Sequence, residues 1–563
     1  MAGERIEWRM ARGWLAEIVG PEMPYIRLGI VYGVAISLLS LATPISVQLL
    51  INSVAYIALP APLWTLAGLL FGLLMLVAAL SALRVWMMAL FERRLFARIV
   101  AEITLRAVHA QNPFFADQNR GDLFNRYFDL VVVQKAVPSL VIGAFTIILQ
   151  SAVGLVVTSF YHPFFLGFNA LLLLVILAVL MLWSHGSINT AVALSHAKHD
   201  AARWLERVGG SNGFYKSSRH LDFAMDRSEA VTATYIACHR RYFRYSFRQT
   251  VAFLSLYAFA SAALLALGGN LILAGELSIG QLVAAELILS GVFYGVSQLG
   301  WYLDSLYDLV ASSEELSLLF AIPQERSVAV AGQAPGSGAV KLDGVVVGGA
   351  RFDFALAAGE QLVTVADGNA ERLLAMVLKR HVVPDRGLVT VGGADISTFD
   401  MYLLRSEMMV LNRPTIVEVT IREYLTLASV DAIPGAMLEA LEAVGLRERI
   451  AGLPQGLDTV LAASGYPLSI GELMALKLAN ALLVRPHVLV LSQLYDLLPV
   501  DRLTRVLRQM KTAETTVLLC TGRPEDITLD GWFLLEPNRQ RRFATRDELI
   551  AATQQGASDV VQG

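Results

Sequence analysis

The sequence predicts a two-part chain: a bundle of six membrane-spanning helices followed by an α/β domain on a largely parallel sheet. Three observations predict it. The 563 residues are 55% hydrophobic and only 17% charged, which is richer in apolar residues and poorer in charge than a soluble protein. The apolar content is concentrated before residue 312, in long runs such as "LWTLAGLLFGLLMLVAALSAL" that reach the ~20 residues a bilayer requires. From Val340 onward, short β-type runs ("VKLDGVVV", "RFDFAL", "QLVTVA") give way to mixed strand and helix patterns.

The N-terminal stretch "MAGERIEWRMARGWLAEIV" has charges throughout and no apolar core followed by a small-residue cleavage site, so it does not read as a signal peptide. Ile6, Met10, Trp14 and Ile18 recur every four residues among Glu4, Arg5, Arg9, Arg12 and Glu17. That pattern suits a helix lying in the membrane interface. Six spans follow at about 25–56, 61–90, 137–160, 163–184, 247–273 and 279–310.

The loops between the spans are unequal. "YIALPAP", "FYHPF" and "LAGELS" are short and carry no Lys or Arg, whereas residues 93–135 hold seven and residues 198–248 hold ten. The positive-inside rule therefore puts the long loops and both termini in the cytosol, in a chain expected in a bacterial inner membrane. The long loops keep a helical rhythm, so the spans are expected to continue as helices well beyond the bilayer. Turn-forming residues fall midway in each, in "QNPFFADQNRGDLFNR" and "ERVGGSNGFYKSSRH". This gives two tips that could press on a soluble domain, with Asp117, Arg120 and Asp122 on one and Asn212, Phe214 and Tyr215 on the other. Gln150, Asn169, Glu286 and Gln298 lie inside spans. Each is either a helix–helix hydrogen-bonding residue or part of a substrate path, and Glu286 should face other helices or a wet cavity, or be protonated.

A Gly/Pro/Ser-bearing stretch, "QERSVAVAGQAPGSGAV", reads as a linker. The chain is thus divided into an interfacial helix at 1–23, the membrane domain at 24–322, a linker at 323–339, the α/β domain at 340–550 and a tail at 551–563. A net charge of −3 provides no basic field for nucleic acid. Cys238 and Cys520 stand far apart and indicate neither a disulfide framework nor a cysteine metal site.

This layout resembles a half-transporter of the ATP-binding cassette (ABC) exporters over nearly the whole chain. "PISVQLLINSV" resembles the proline-led segment of the first span, with Asn52 where an acidic residue is usual. "AGEQLVTVA", "PDRGLVTVGGADISTFDMYLLR", "TIREYL", "LPQGLDTVLAASGYPLSIGELMALKLANALLVRPHVLVL" and "TVLLCTG" follow in the family's order and spacing. No peptidase-like domain precedes the membrane half, so cleavage of a leader peptide is not expected.

The resemblance also locates departures at the positions that carry chemistry. A G-x-x-x-x-G-K-[ST] phosphate loop needs glycines so that backbone amides can curl round phosphate, a Lys for its oxygens and a hydroxyl for Mg²⁺. Here Ala366, Asn369 and Glu371 stand at the glycine positions, Arg372 at the Lys and Leu373 at the Ser. Ser492 and Gln493 stand where the family has the Asp that supports Mg²⁺ and the Glu that polarises water. Asn412 takes the Gln-loop position and Gly522 that of the switch His. The aromatic residue expected against adenine is missing from "VVVGGARFDF". The signature segment "LSIGE" keeps Ser469 and Gly471 but has Ile470 and Glu472.

The resemblance therefore implies a dimeric transport subunit whose nucleotide-binding domain is degenerate and does not hydrolyse ATP by itself. No cofactor is expected of the chain alone; ATP and Mg²⁺ would come only with an intact partner half-transporter. The alternative is a homodimer that retains the fold as an ATP-independent scaffold, conduit or regulator. Catalysis through Arg372 is disfavoured, because metal support, base and backbone cradle are lost together.

Overall fold

The computed structural model describes residues 8–56, 61–111, 121–325, 333–427 and 434–553, with side chains except at 8–12, 52–56, 61–62 and 121–123. It divides into a membrane unit ending at Gln324 and a second unit beginning at Glu325.

In the membrane unit, α1 (Trp8–Val19) precedes α2 (Met23–Leu39) and α3 (Ala42–Tyr56). The first span, expected as one helix, is broken at Ser40–Leu41. Pro44 has no amide to donate back to Ser40, so the ladder is interrupted there. The next helix, α4, runs over Ala61–Val108. In the third span, α5 (Asp129–Ser139) passes through a π-helical turn, Leu140–Ala144, into α6 (Phe145–Ser159). Pro138 lies just before that turn and removes one more ladder bond. Last come α7 (Pro163–Gly210), α8 (Ser218–Leu273) and α9 (Ile279–Phe320).

Among the described residues, six helical segments are long and apolar enough to cross a membrane. Helix α8, at 56 residues, is about 84 Å long at ~1.5 Å per residue, far more than a ~30 Å hydrocarbon core needs. In their described parts the long loops are largely helical extensions of α4, α7 and α8, as their rhythm implies. Ser278 starts α9 with a capping box: its hydroxyl accepts from the Gln281 amide while Gln281 returns the bond. Small residues let α6 and α9 approach closely. A Cβ on Gly154 would lie 2.8 Å from Ile288, and one on Gly295 2.5 Å from Ile147.

Among the described residues, the second unit is built on two sheets. The first is antiparallel, in the order β2–β1–β4–β5, from β1 (Val340–Val347), β2 (Ala350–Leu356), β4 (Arg386–Val391) and β5 (Ala394–Asp395). The other runs β10–β9–β3–β8–β7–β6, from β3 (Gln361–Ala366), β6 (Met408–Leu411), β7 (Val488–Leu491), β8 (Thr516–Cys520), β9 (Gly531–Glu536) and β10 (Arg539–Phe543). It is parallel except for the β10 edge. Strand β7 is buried along its whole length, which explains the unbroken apolar run "VLVL".

The helices here are α10 (Gly368–Leu378), α11 (Met401–Glu407), α12 (Ile421–Thr426), α13 (Pro434–Ala443), α14 (Arg447–Ala451), α15 (Ile470–Val484) and α16 (Val500–Thr512). Helices α13, α15 and α16 share one core with β7 and β8, while α10 joins the core that covers β1, β2 and β4.

Candidate functional site

The site predicted from the sequence lies where β3 hands over to α10. Only Asp367 separates the last strand residue, Ala366, from the first helical one, Gly368. Asn369, Glu371 and Arg372 are therefore helical residues and not part of an open loop. Asp367 caps the helix, one oxygen accepting from the amides of Asn369 at 2.9 Å and Ala370 at 3.1 Å. The Glu371 amide already bonds to the Asp367 carbonyl at 2.9 Å. Two of the helix's leading donors, which elsewhere form a ready anion seat, are thus satisfied by the chain's own carboxylate.

The side chains follow the same logic. Arg372 is exposed, and Leu374 is buried in the core with β1 and β3. Leu373 is half-buried against the β1–β2 turn, within reach of a Cβ on Gly348 at 3.1 Å. That turn joins the Val347–Ala350 pair through Gly348 and Gly349, both at positive φ, so glycines occupy it for hairpin geometry. Burial pushes the Glu371 carboxyl up from its ordinary value.

Beyond β7 and β8 a second cluster forms. Ser492 is buried, and its hydroxyl accepts from the Leu494 amide at 3.4 Å, opening a short 3₁₀ turn. Asp496 at the end of that turn binds the loop after β8: its carboxylate accepts from Thr521 Oγ1 at 2.6 Å and the Gly522 amide at 2.9 Å. Arg523 donates to the Asp496 carbonyl. Gln493 lies so close to Gly522 that any Cβ there would meet its Nε2. The two positions that the resemblance assigns to a base and a switch residue are thus in direct contact.

Asn412 follows β6 and is half-buried. The signature segment forms the start of α15. Ser469 and Glu472 make a capping box, with the Glu472 amide on Ser469 Oγ at 3.3 Å and the Ser469 amide on Glu472 Oε2 at 2.8 Å. The other Glu472 oxygen accepts from Arg449 Nε at 2.9 Å. Burial raises the Glu472 pKa, but the Ser469 amide and Arg449 outweigh it and hold the carboxyl below its ordinary value. Ile470 is 52% exposed, and Gly471 follows it in the first turn.

In the membrane unit, Asn169 is buried and donates to the Leu155 carbonyl, Thr158 Oγ1 and Ser159 Oγ at 2.9, 2.9 and 3.0 Å. It joins α6 to α7. Gln150 lines a cavity of about 390 Å³ together with Ser40, Thr43, Ser151 and Tyr294. Glu286 is exposed on this chain and takes a hydrogen bond from Ser290 at 3.2 Å. Gln298 is half-buried.

At the α7–α8 turn, Phe214 stacks on His220 with centroids 4.1 Å apart and meets Tyr215 edge-on at 5.2 Å. The Asn212 carbonyl accepts from the Tyr215 amide at 3.2 Å. Asp117 and Arg120 lie outside the described residues, as do the side chains of Asp122 and Asn52.

Sequence reasoning missed several residues of this arrangement. Asp367 sits inside the suspect segment, yet only its bonds reveal its role. Arg84, buried in α4 with Thr146 Oγ1 at 2.5 Å, is a charge within an apolar run and could have been found as such. The network around Asp129 could not: it is buried and takes Lys198 at 2.8 Å, His199 at 2.5 Å and Ser312 at 3.2 Å, from α7 and α9.

Among the described residues, six apolar helical segments with long extensions and a two-sheet α/β unit make up an architecture of the exporter type. The fold matches a solved bacterial Atm1-family ABC exporter with ATP bound, at a TM-score of 0.76 and 17% identity, covering 95% of this chain and 97% of that one. The chain is 31% identical over 170 residues to the cyclolysin secretion/processing ATP-binding protein CyaB of Bordetella pertussis, covering 30% of this chain and 23% of CyaB. It is 23% identical over 306 residues to the alpha-hemolysin translocation ATP-binding protein HlyB of Escherichia coli O157:H7, covering 51% and 43%. The chain therefore spans less than half the length of these two curated relatives. Against the uncharacterized ABC transporter ATP-binding protein YfiC of Bacillus subtilis, identity is 23% over 520 residues, covering 86% of this chain and 84% of YfiC. No protein-family model matches. The chain is a homologue of ABC transporter exporter proteins and has the ABC exporter fold.

Proposed function

We propose that the chain is a transport subunit that works as a dimer and relies on an intact half-transporter for ATP hydrolysis, in a bacterial inner membrane with both termini cytosolic. The single observation that carries this reading is the Asp367 carboxylate bonded to the leading amides of α10. A triphosphate would have to displace an anion already seated there, next to Glu371 and with Leu373 in place of a magnesium-binding hydroxyl. The corner does not fit Mg²⁺-ATP. Ser492, whose hydroxyl is engaged with Leu494, and Gln493, packed on Gly522, supply neither a metal carboxylate nor a base.

The signature segment supports the pairing. Ser469 and Gly471 remain at the start of α15, and the Glu472 charge is offset by Arg449. That leaves a helix N-terminus able to meet a nucleotide held by another subunit. Exposed Ile470 favours the second reading, an ATP-independent homodimer, because a branched side chain projects from the face that would approach phosphate.

The test is ATP turnover in proteoliposomes, with the chain alone and then with an intact half-transporter that co-purifies with it. The expected result is no turnover alone and turnover in the pair. Hydrolysis at about 1 s⁻¹ or more by the chain alone would refute the proposal. Failure to form the mixed dimer, together with recovery of a stable homodimer, would favour the second reading.

A further inference from the structure

We infer that His196, Glu314 and Glu315 form a binding site for a borderline divalent metal ion of the Zn²⁺ type, linking α7 to α9. One donor atom from each lies within 4.8 Å of the others. His196 Nε2 is 2.9 Å from Glu314 Oε2 and 3.6 Å from Glu315 Oε1. Tetrahedral ligands at ~2.0–2.2 Å from zinc stand about 3.3–3.5 Å apart, so these separations bracket what a shared ion requires. Small rotamer adjustments would close the set.

Glu315 provides the second, independent observation. It is completely buried, yet neither carboxylate oxygen makes a hydrogen bond. Oε2 has an ion pair with Arg126 at 2.6 Å, while Oε1 is directed at the His196 ring. A buried carboxylate oxygen without a donor is costly, and a cation between it and the imidazole would satisfy it. Arg126 offsets one of the two carboxylate charges, and the ion would meet the other.

Access and selectivity follow from the surroundings. The His196 side chain is 50% exposed, so the ion can enter from water and keep a water in its fourth position. His196 is roughly 18 Å along α7 from Ser184, the end of the apolar span, at ~1.5 Å per residue. One imidazole with two carboxylates suits Zn²⁺, Mn²⁺ or Co²⁺; the all-oxygen preference of Mg²⁺ and Ca²⁺ argues against those ions. Ligands from two helices make the ion a clamp between them, stabilising the folded unit by mass action.

The experiment uses the full chain in detergent, without a polyhistidine tag and stripped of metal. Equilibrium dialysis against Zn²⁺ should find one tight ion per chain, and Co²⁺ should give the visible absorption of a tetrahedral N/O site. His196→Ala, at an exposed position, should weaken Zn²⁺ binding at least tenfold and abolish the Zn²⁺-induced rise in Tm. Glu314→Gln should weaken it likewise. Zn²⁺ binding unchanged in His196→Ala, or no stoichiometric Zn²⁺ in the wild-type chain, would overturn the inference.

Discussion

Asp367 and Asn369 are joined by a 2.9 Å hydrogen bond from the Asn369 amide to the Asp367 carboxylate, which closes the front of α10. Replacing Asp367 by Ala removes the cap and exposes two amides, and should destabilise the α/β unit by about 1 kcal/mol. The measurement is a thermal melt alongside titration with a fluorescent ATP analogue. The Tm should fall while nucleotide binding stays absent, because Glu371 and Leu373 still oppose phosphate and magnesium. Micromolar analogue binding by Asp367→Ala would mean that the cap masks a working site.

Gly522 has no room for a side chain while Gln493 keeps its position. Gly522→His, which restores the residue type of the family's switch position, displaces only the exposed tip of the flexible Gln493 side chain and should therefore destabilise by no more than about 0.5 kcal/mol. Gln493→Ala in the same chain should recover part of that loss. A double-mutant cycle from denaturation midpoints would show the coupling, and strictly additive effects would contradict the contact.

His381 supplies a pH signature. Burial, then the charges of Arg405 and Lys379, push its pKa down from 6.5 to about 4, and Arg405 lies 3.1 Å from its Nδ1. The unfolded chain therefore takes up a proton near pH 6.5 that the folded chain refuses until about pH 4. The neutral ring's contribution is present above pH 6.5 and is lost progressively as pH falls towards 4, on the order of 3 kcal/mol in all. His381→Asn, which retains an acceptor, should flatten Tm across this window. An unchanged slope would place the pH dependence elsewhere.

Asn169 holds α6 to α7 through three acceptors. Asn169→Leu, which keeps the branching but removes the polar atoms, should destabilise the membrane unit by about 0.6 kcal/mol and at most about 1.7, the average and maximum for hydrogen bonds between membrane helices. Thermal unfolding in detergent measures it. A neutral result would mean that Thr158 and Ser159, which also bond to carbonyls of their own helix, need nothing from Asn169.

Much of the architecture was legible residue by residue. The spans are so because hydrocarbon admits only long apolar helices, and the extensions of α7 and α8 because their periodicity continues through the charged stretches. The break at Ser40–Leu41 was not anticipated, although Pro44 carried the signal. That Glu286 is exposed on this chain was not legible either, since helix rotation depends on packing against every neighbour.

The chain's primary order alone puts Ala366, Leu373, Ser492 and Gln493 at the positions in question, and so fixes which chemical groups they offer. What they touch depends on the packed fold: Asp367 seals its own helix, the Gln493 amide lies against Gly522, and His196 meets Glu314 across 118 residues. A side chain's type is written locally, whereas its partners are set by where strand ends and helix faces come to rest once the core has packed.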